Sequence, residues 1–376
     1  MNLNWLSDNI IFLTLGGSQS YGLSDSASDV DVKGLCVPPR KIEDDLFLNF
    51  EQAENHPHVE EKLGFLKNPQ NPKFESTIYS LKKFFILASN VNPNIIEMLW
   101  TDMKDHYLVH PIMQRILDNK SIFLSSKAKF TFSGYAHSQL AKIERHRKWI
   151  ILGDVIKPTR SEFELPDEKY KGMDEVFSYV KSKVEEWNFN QFALDEQHRS
   201  DLKESIWELV GALVQKRIGW DNWPEVYADG VIKKMSTDLS LRDDVINLIR
   251  TERKYSKALD NYNSWMKWKS ERNPARRELE LKSGYDTKHA SHLIRLLRMG
   301  HEIISQGTVI VKRPDREELL AIKNGKWSYD TILEYSKNLQ SQLDIDYKTT
   351  QLPKSVDFTR LNDFYHELIA EYHNEK

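Results

Sequence analysis

Residues 10–37 read IIFLTLGGSQSYGLSDSASDVDVKGLCV and contain two apolar segments separated by a polar turn. The first segment, residues 10–15, is short and rich in Ile, which favours a buried strand over a helix, and a glycine pair ends it. The second segment begins at Asp29, alternates polar and apolar residues, and stops at Pro38-Pro39, as a strand does. The sequence therefore predicts a strand-helix-strand unit with a Gly-Gly-Ser turn after its first strand.

Two aspartates mark the second predicted strand. Asp29 and Asp31 lie two residues apart, so their side chains leave the same face of the strand. Two carboxylates held this close repel each other unless a cation lies between them, and Mg²⁺ prefers such oxygen ligands. A pair of ions roughly 3.5–4 Å apart would activate an attacking hydroxyl and neutralise a leaving pyrophosphate, but it requires a third carboxylate. We therefore expect two Mg²⁺ (or Mn²⁺) ions to bind here together with an NTP.

Glu75 is the preferred third carboxylate. It opens the next predicted strand, residues 74–79, and would lie beside Asp31 if the two strands are neighbours. It can bind the metal that lowers the pKa of the acceptor hydroxyl, or it can accept the proton itself. The alternative is that Glu75 is a surface residue of the strand. Other candidates for the third carboxylate are Asp44, Asp45 and Glu97.

The predicted turn, Gly16-Gly17-Ser18, is a candidate phosphate-binding element. Glycines let the backbone approach a polyphosphate, and the N–H groups and the Ser18 hydroxyl can face its oxygens. A Gly-Gly-Ser sequence is a weak signal by itself. It gains force because only ten residues separate Ser18 from Asp29, so that the turn and the predicted metal ligands belong to one unit.

A second group of polar residues lies on a helix predicted to begin after Asp286. Lys288, His292 and Arg295 occupy positions i, i+4 and i+7, which form one stripe of a helix. If this stripe faces the first domain, it can bind a triphosphate, since Arg can donate paired hydrogen bonds to phosphate. An ordinary solvated stripe is the alternative. Lys142, on an earlier predicted helix, is a second candidate for phosphate or sugar contact, with the same alternative.

The remaining pattern predicts an α+β protein. A catalytic domain with a short mixed sheet and flanking helices is expected over 1–125, and a mainly helical nucleotide- and acceptor-binding domain over 126–376. Residues 51–73 are rich in polar residues and Pro and are expected to form an exposed connection. Apolar periodicity and capping residues predict helices at 81–88, 135–151, 201–218, 287–305, 314–324 and 329–343.

Length and composition bear on the number of folding units, on disulfides and on membrane contact. A chain of 376 residues exceeds what one core usually organises, which suggests two or three folding units. The single cysteine, Cys36, excludes an internal disulfide and a cysteine-based zinc site and fits a reducing compartment. No apolar run approaches the roughly 20 residues of a membrane span, and no basic leader is visible. We expect a cytoplasmic protein without membrane contact; the sequence does not indicate its oligomeric state.

Charge is unevenly distributed along the chain. Residues 1–75 hold twelve acidic against six basic side chains, whereas residues 250–299 hold thirteen basic against six acidic ones. The basic stretch is a candidate for contact with phosphate, although a solvated helix face explains it equally well. Within it, Trp265 and Trp268 could stack on the bases of a single strand, but packing is the more common role of such residues.

These motifs resemble a known superfamily. GGSQSYGLSDSASDVDVKG, residues 16–34, looks like the polymerase-beta nucleotidyltransferase signature, a Gly-Gly-Ser turn followed by an Asp-x-Asp strand. More narrowly, residues 80–100, 134–143 and 284–304 are similar to the RNA-repair-associated predicted nucleotidyltransferases of the RlaP or YcgL type. The resemblance implies the polymerase-beta fold, a two-metal mechanism and a role in RNA metabolism. The family pattern usually places Asp where Glu75 stands.

Three hypotheses of function follow. In the first, the protein moves an NMP from an NTP to an acceptor hydroxyl with release of pyrophosphate, and the acceptor is an RNA end, as in RNA repair or tRNA processing. In the second, the same metal centre modifies a hydroxyl of a protein or a small molecule. In the third, the chain is an inactive nucleotide or RNA sensor.

Overall fold

A five-stranded mixed sheet organises the N-terminal part of the chain. Its strand order is β3-β4-β2-β1-β5; β2 and β4 run parallel, and every other neighbouring pair is antiparallel. Because β1 and β2 are antiparallel neighbours, the end of β1 meets the start of β2. The strands are β1 (Ile10–Leu15), β2 (Val30–Cys36), β3 (Gln52–Glu54), β4 (Phe74–Ser80) and β5 (His106–Val109).

The two faces of the sheet are buried in different clusters of apolar side chains. Val30 and Val32 of β2 and Ile78 of β4 join one cluster, whereas Leu35 and Ile11 join the other. Side chains alternate between the faces of a strand, so the burial of Val30 and Val32 leaves Asp31 and Lys33 on the opposite face. That face continues into the larger apolar core at Leu35.

Short helices connect the strands. Ser80 ends β4 and caps the following helix, since its side chain accepts a hydrogen bond from the Lys83 N–H at 3.1 Å. Asn92 caps the next helix in the same way. The helices of this region are α1 (Gly17–Ser20), α2 (Arg40–Glu43), α3 (Pro57–Leu63), α4 (Leu81–Ser89), α5 (Pro93–Ile96), α6 (Pro111–Asp118) and α7 (Ala128–Leu152), and a short 3-10 helix covers Glu97–Trp100.

The C-terminal part is helical. Its most buried helix, α10, begins after the cap Asp286 and ends at Gly307, whose φ of 65° is the left-handed conformation that glycine adopts readily. α10 packs against α11 and α12. The helices of this part are α8 (Asp243–Ser270), α9 (Pro274–Ser283), α10 (Thr287–Gln306), α11 (Arg316–Lys323), α12 (Tyr329–Thr349) and α13 (Phe358–Glu375).

The computed structural model describes residues 3–26, 28–165, 195–201, 203, 243–272 and 274–375. They belong to two units: Met1–Ile151 together with Pro274–Lys376, and Leu152–Asn273. Among the described residues, no helix combines the length and apolar character needed to cross a membrane. The division into a catalytic domain over 1–125 and a binding domain over 126–376 concerns function and stays a prediction.

The predicted α+β architecture is confirmed, with a mixed sheet and helices followed by a helical region. The helix expected over 287–305 is present with its predicted caps. The segment 51–73 is mostly exposed, as expected, but it also contains β3 and α3, which were not predicted. The sequence Asn94-Ile-Ile-Glu97 predicts a helix capped by Asn94, but in the structure the cap is Asn92, two residues earlier. The helix predicted over 201–218 lies almost entirely outside the described residues.

We expect Gly34→Ala to destabilise the protein. A Cβ at Gly34, in the centre of β2, would lie 2.6 Å from the Phe12 carbonyl oxygen and 2.6 Å from the Ile78 side chain. Backbone cannot yield as a flexible side chain does, so the free energy of unfolding should fall by about 1–3 kcal/mol in urea denaturation. The matched control is Gly134→Ala in α7, whose Cβ would meet nothing within 4 Å. It should raise the free energy of unfolding by about 0.5–1 kcal/mol, and equal effects of the two variants would contradict this packing of β2.

Candidate active site

Three carboxylates converge where β2 and β4 begin. Asp29 immediately precedes β2, Asp31 lies within it, and Glu75 lies directly opposite Asp31 in the parallel β2–β4 pair. One oxygen from each of the three side chains lies within 4.8 Å of the other two. The expectation that Glu75 would lie beside Asp31 is confirmed, and an all-oxygen group of this kind suits a hard divalent cation.

The three carboxylates carry like charges and repel one another. Burial raises the pKa of Asp31, and the negative charges of Asp29 and Glu75 raise it further, while Lys33 and Lys288 oppose the shift. The ammonium of Lys73 lies 2.5 Å from Glu75 and 3.8 Å from Asp29. The Lys73 ammonium therefore already lies between Asp29 and Glu75. A metal ion bound here would reduce the repulsion between Asp31 and the neighbouring negative charges.

The glycine turn lies directly against Asp31. Gly17 has a φ of 54°, and a Cβ there would lie only 2.0 Å from an Asp31 carboxylate oxygen. The Gly16 N–H donates to the Asp31 carbonyl at 2.8 Å. The Ser18 hydroxyl oxygen is buried and has no hydrogen-bond partner within the described part of the chain. Since an unsatisfied buried hydroxyl is costly, a phosphate oxygen that reached this turn would supply the missing partner.

The positive side of the site comes from α7 and α10. Lys288, at the start of α10, is exposed and near enough to Asp31 to lower the pKa of that carboxyl. Burial lowers the pKa of His292 to about 2, and the nearby positive charges of Arg295, His289, Lys288 and Lys142 lower it further. His292 is therefore neutral. The structure thus brings three predicted phosphate ligands, Lys142, Lys288 and His292, into one cationic environment.

Arg295, near His292, is buried and paired with other residues. It is 2% exposed, and its guanidinium donates to Glu97 at 2.7 Å. The guanidinium carbon lies 3.6 Å from the ring centroid of Tyr21, the residue after α1. Because these two residues occupy the guanidinium, the geometry gives no support to direct contact between Arg295 and a triphosphate, and that role stays a prediction. Glu97, a candidate third carboxylate, is occupied by the same interaction.

The other candidate acids also lie outside the carboxylate group. Asp44 ends α2, and the Asp45 carboxylate accepts the backbone N–H groups of Phe47 and Leu48. In contrast, Lys33 and Lys73 act on the group electrostatically but were not predicted from the sequence. The sequence could have predicted both positions, because each lysine lies two residues from one of the acids and therefore on the same face of the strand.

A buried hydrogen-bond network near the start of α10 was also not predicted. Asp286 caps the helix, and one of its carboxylate oxygens lies 2.7 Å from the Nδ1 atoms of both His146 and His289. Arg276 donates to the other oxygen at 2.8 Å. Burial alone would raise the pKa of Asp286, but the hydrogen bonds from the two histidines hold it well below its usual range. The network fixes α7 to α10 and thereby sets the position of Lys288.

In the second unit, the two tryptophans of α8 differ in exposure. Trp265 is 6% exposed and Trp268 is partly exposed. Lys269 lies 4.6 Å from the Trp265 ring and Arg272 lies 4.5 Å from that of Trp268. The burial of Trp265 favours a packing role for it; stacking on bases stays a prediction.

Comparison with known proteins gives the family of the N-terminal region. Residues 4–151 match the model of the family described as RlaP, RNA repair pathway DNA polymerase beta family. This region is an RlaP domain. It contains the whole sheet, the glycine turn and all three carboxylates of the site, whereas Lys288 and His292 lie outside it. The resemblance drawn from the sequence motifs is thus confirmed for this region.

One relative matches over almost the full length of the chain. It is an uncharacterized 38.9 kDa protein in the nrdC-mobD intergenic region of Enterobacteria phage T4, 25% identical over 377 residues. The match covers 95% of this chain and 96% of the phage protein, so it extends well beyond the RlaP domain. No solved structure gives a significant match to the chain.

The neutral state of His292 predicts a pH dependence of stability. Its pKa of about 2 in the folded protein lies below the value of about 6.5 expected when unfolded, so the unfolded state binds more protons as the pH falls. Its contribution to stability is complete above pH ~6.5 and is lost as the pH falls towards 2. From pH 7 to pH 5, the unfolding free energy of the wild type should therefore fall by about 1–2 kcal/mol more than that of His292→Gln.

Urea denaturation at the two pH values provides the measurement. His137→Gln, at an exposed position of α7, is the control and should follow the wild-type profile. Parallel profiles for His292→Gln and the wild type would contradict the assignment of a neutral His292.

Proposed function

We propose that the protein transfers an NMP from an NTP to an acceptor hydroxyl and releases pyrophosphate. One observation carries the proposal: the oxygens of Asp29, Asp31 and Glu75 converge within 4.8 Å, directly against a turn whose Gly17 leaves room for the Asp31 carboxylate. The RlaP domain also supports the proposal, since this domain belongs to a polymerase-beta family associated with RNA repair.

Mg²⁺ or Mn²⁺ fits the residues present. The three carboxylates offer hard oxygen ligands, their mutual repulsion raises the pKa of Asp31, and a lysine ammonium already lies between two of them. When bound by Asp29, Asp31 and Glu75, two such ions would lower the pKa of the attacking hydroxyl and neutralise charge on the phosphates.

The other residues bind and orient the substrate. The backbone of Gly17 and the Ser18 hydroxyl contact the triphosphate, while the Gly16 N–H keeps its hydrogen bond to the Asp31 carbonyl. Lys288, with Lys142 and His292 beside it, holds the distal phosphates. The acceptor oxygen forms a bond to the α-phosphorus as the α–β bridging bond breaks, and pyrophosphate leaves with that electron pair. Glu75, the most exposed of the three acids, accepts the acceptor proton or passes it to solvent. Such a transfer is accelerated chiefly by positioning and charge neutralisation.

We propose an RNA end as the acceptor. The family description refers to an RNA repair pathway, and residues 250–299 carry thirteen basic against six acidic side chains. Arg253 and Arg295 of this stretch are buried, but exposed members such as Lys267, Lys269 and Lys282 are available for contact with a nucleic-acid backbone. Hydroxyl groups of proteins or small molecules are the competing acceptors.

We expect Asp31→Asn and Asp29→Asn to abolish measurable transfer while leaving the fold intact. Charge neutralisation at such a centre contributes several kcal/mol, so pyrophosphate release should fall by roughly 100- to 1,000-fold or more. Removing one like charge should leave the melting temperature of Asp31→Asn unchanged or raised. Asp44→Asn, in an acid outside the group, is the matched control and should retain activity. Substantial turnover by either variant would defeat the assignment.

We expect Lys288→Gln to raise the KM for the NTP by about tenfold, because losing the charge-assisted contact between an exposed lysine and a phosphate costs about 1.5 kcal/mol. Steady-state pyrophosphate release at varied NTP concentration gives the measurement. Lys282→Gln, at an exposed position of the preceding helix, should keep the wild-type KM. An unchanged KM in Lys288→Gln would remove this residue from the phosphate site.

The acceptor class can be determined with α-labelled NTPs. Each NTP is incubated with the full chain and Mg²⁺, together with total RNA in one reaction and total protein in another. Label in RNA that disappears with Asp31→Asn supports the proposal. Label confined to protein, or to small molecules, would replace the RNA acceptor with that class.

A further inference from the structure

Tyr21, Glu97 and Arg295 form a buried charged cluster directly behind the glycine turn. Arg295 of α10 donates to one Glu97 carboxylate oxygen at 2.7 Å, and the Tyr21 hydroxyl donates to the other. The guanidinium carbon of Arg295 lies 3.6 Å from the Tyr21 ring centroid, within the range of a cation–π contact. Arg295 is 2% and Glu97 6% exposed.

Stability alone does not account for such a cluster. Removing two charges from water costs several kcal/mol per ion, and well-packed apolar residues often serve a fold equally well. A buried ion pair does, however, define one geometry, since each partner must meet the other at fixed distance and angle. Burial raises the pKa of the Tyr21 hydroxyl, with Glu97 adding to the shift and Arg295 opposing it, so the hydroxyl remains a hydrogen-bond donor.

The backbone after Tyr21 is held from the same side. The carbonyl of Tyr21 accepts the Arg313 N–H at 3.1 Å, and that of Gly22 accepts Nε of Arg316 at 2.6 Å. Lys323 Nζ lies 3.4 Å from the Leu23 carbonyl and 2.6 Å from the Asp25 carboxylate. Successive residues after α1 are thus bound by α10, α11 and the segment between them.

These contacts reach the catalytic residues through a short path. Tyr21 is four residues from Gly17, its amide donates to the Gly17 carbonyl at 3.3 Å, and Gly17 lies against the Asp31 carboxylate. All the contacting residues from α10 and α11 lie outside residues 4–151, the segment that matches the RlaP model. The carboxylates, in contrast, are fixed by the pairing of β2 with β4 within that segment.

We propose that Arg295 is a positioning residue, which acts with the C-terminal helices to fix the glycine turn in its NTP-binding conformation; this inference rests on the proposed function. Metal binding and nucleotide binding are then supported by different parts of the chain. The carboxylate group belongs to the sheet, whereas the conformation of the turn depends on α10 and α11.

Two variants of the full chain test this division. Arg295→Met removes the guanidinium, and Arg295→Met with Glu97→Gln also removes the carboxylate charge that would be left unpaired. Melting temperature, Mn²⁺ affinity, affinity for each NTP and amide hydrogen exchange over residues 16–25 are measured for both. Arg115→Met is the control, because it removes ion pairs to Glu367 and Glu371 that also join the N-terminal region to the last helix.

In Arg295→Met we expect NTP affinity to fall by on the order of 10- to 100-fold, since small displacements of positioning groups have effects of this size. Hydrogen exchange over residues 16–25 should accelerate, while Mn²⁺ affinity stays within about twofold of the wild type. The double variant should regain much of the melting temperature and retain the NTP defect. Arg115→Met should retain both NTP affinity and the slow exchange of the turn.

Two results would overturn the inference: NTP binding by a folded Arg295→Met at the wild-type level, or recovery of both stability and NTP affinity in the double variant. The readouts also separate this inference from the proposed function. If the wild type binds NTPs but transfers nothing, while Arg295→Met loosens the turn and weakens NTP binding, the positioning role stands and only the transferase proposal fails.

Discussion

Mutual repulsion among three carboxylates is the constraint on which the site depends. Asp31 and Glu75 are opposite residues of parallel strands, and Asp29 shares their face. The strands cannot slip to separate the charges, because a shift of one residue would turn Val30 and Val32, 1% and 0% exposed, out of their core. Hydrophobic burial on one face of the sheet thus holds like charges together on the other. The repulsion is relieved by a proton on Asp31, whose pKa is raised, or by a cation such as a lysine ammonium or a metal ion.

The cationic residues around this group divide into two kinds by their environment. Lys288 is exposed and acts across solvent on Asp31, so its charge is available to a ligand. Arg295, two helical turns later, is enclosed with Glu97 and Tyr21 and serves the architecture of the turn. Both belong to α10, which supplies phosphate contacts at its start and structural contacts further along. A movement of α10 would therefore shift both the residues that contact the phosphates and the residues that hold the turn.

The sequence predicted the elements whose signals are local. β1, β2, β4 and the capped helix α10 were recognisable because burial, alternation and capping leave a pattern within one segment. β3 and β5 were missed, since they are short strands at the edges of the sheet and their pairing partners are distant in sequence. The three carboxylates were found because strand periodicity fixes their face. The role of Arg295 was not, because a stripe spanning i to i+7 extends roughly 10 Å along the helix, and periodicity does not reveal where that stripe leaves the cleft and enters the core.

The order of synthesis gives the Tyr21–Glu97–Arg295 cluster a further consequence. The ribosome releases Tyr21 and Glu97 early, but Arg295 follows nearly two hundred codons after Glu97. At ordinary rates of translation that interval lasts roughly 10–40 s. Throughout it, Tyr21 and Glu97 lack the Arg295 guanidinium, and the segment after α1 lacks its hydrogen bonds from Arg313 and Arg316. A product that stops before Arg295 would share that state, so the supported conformation of the turn requires synthesis through α11.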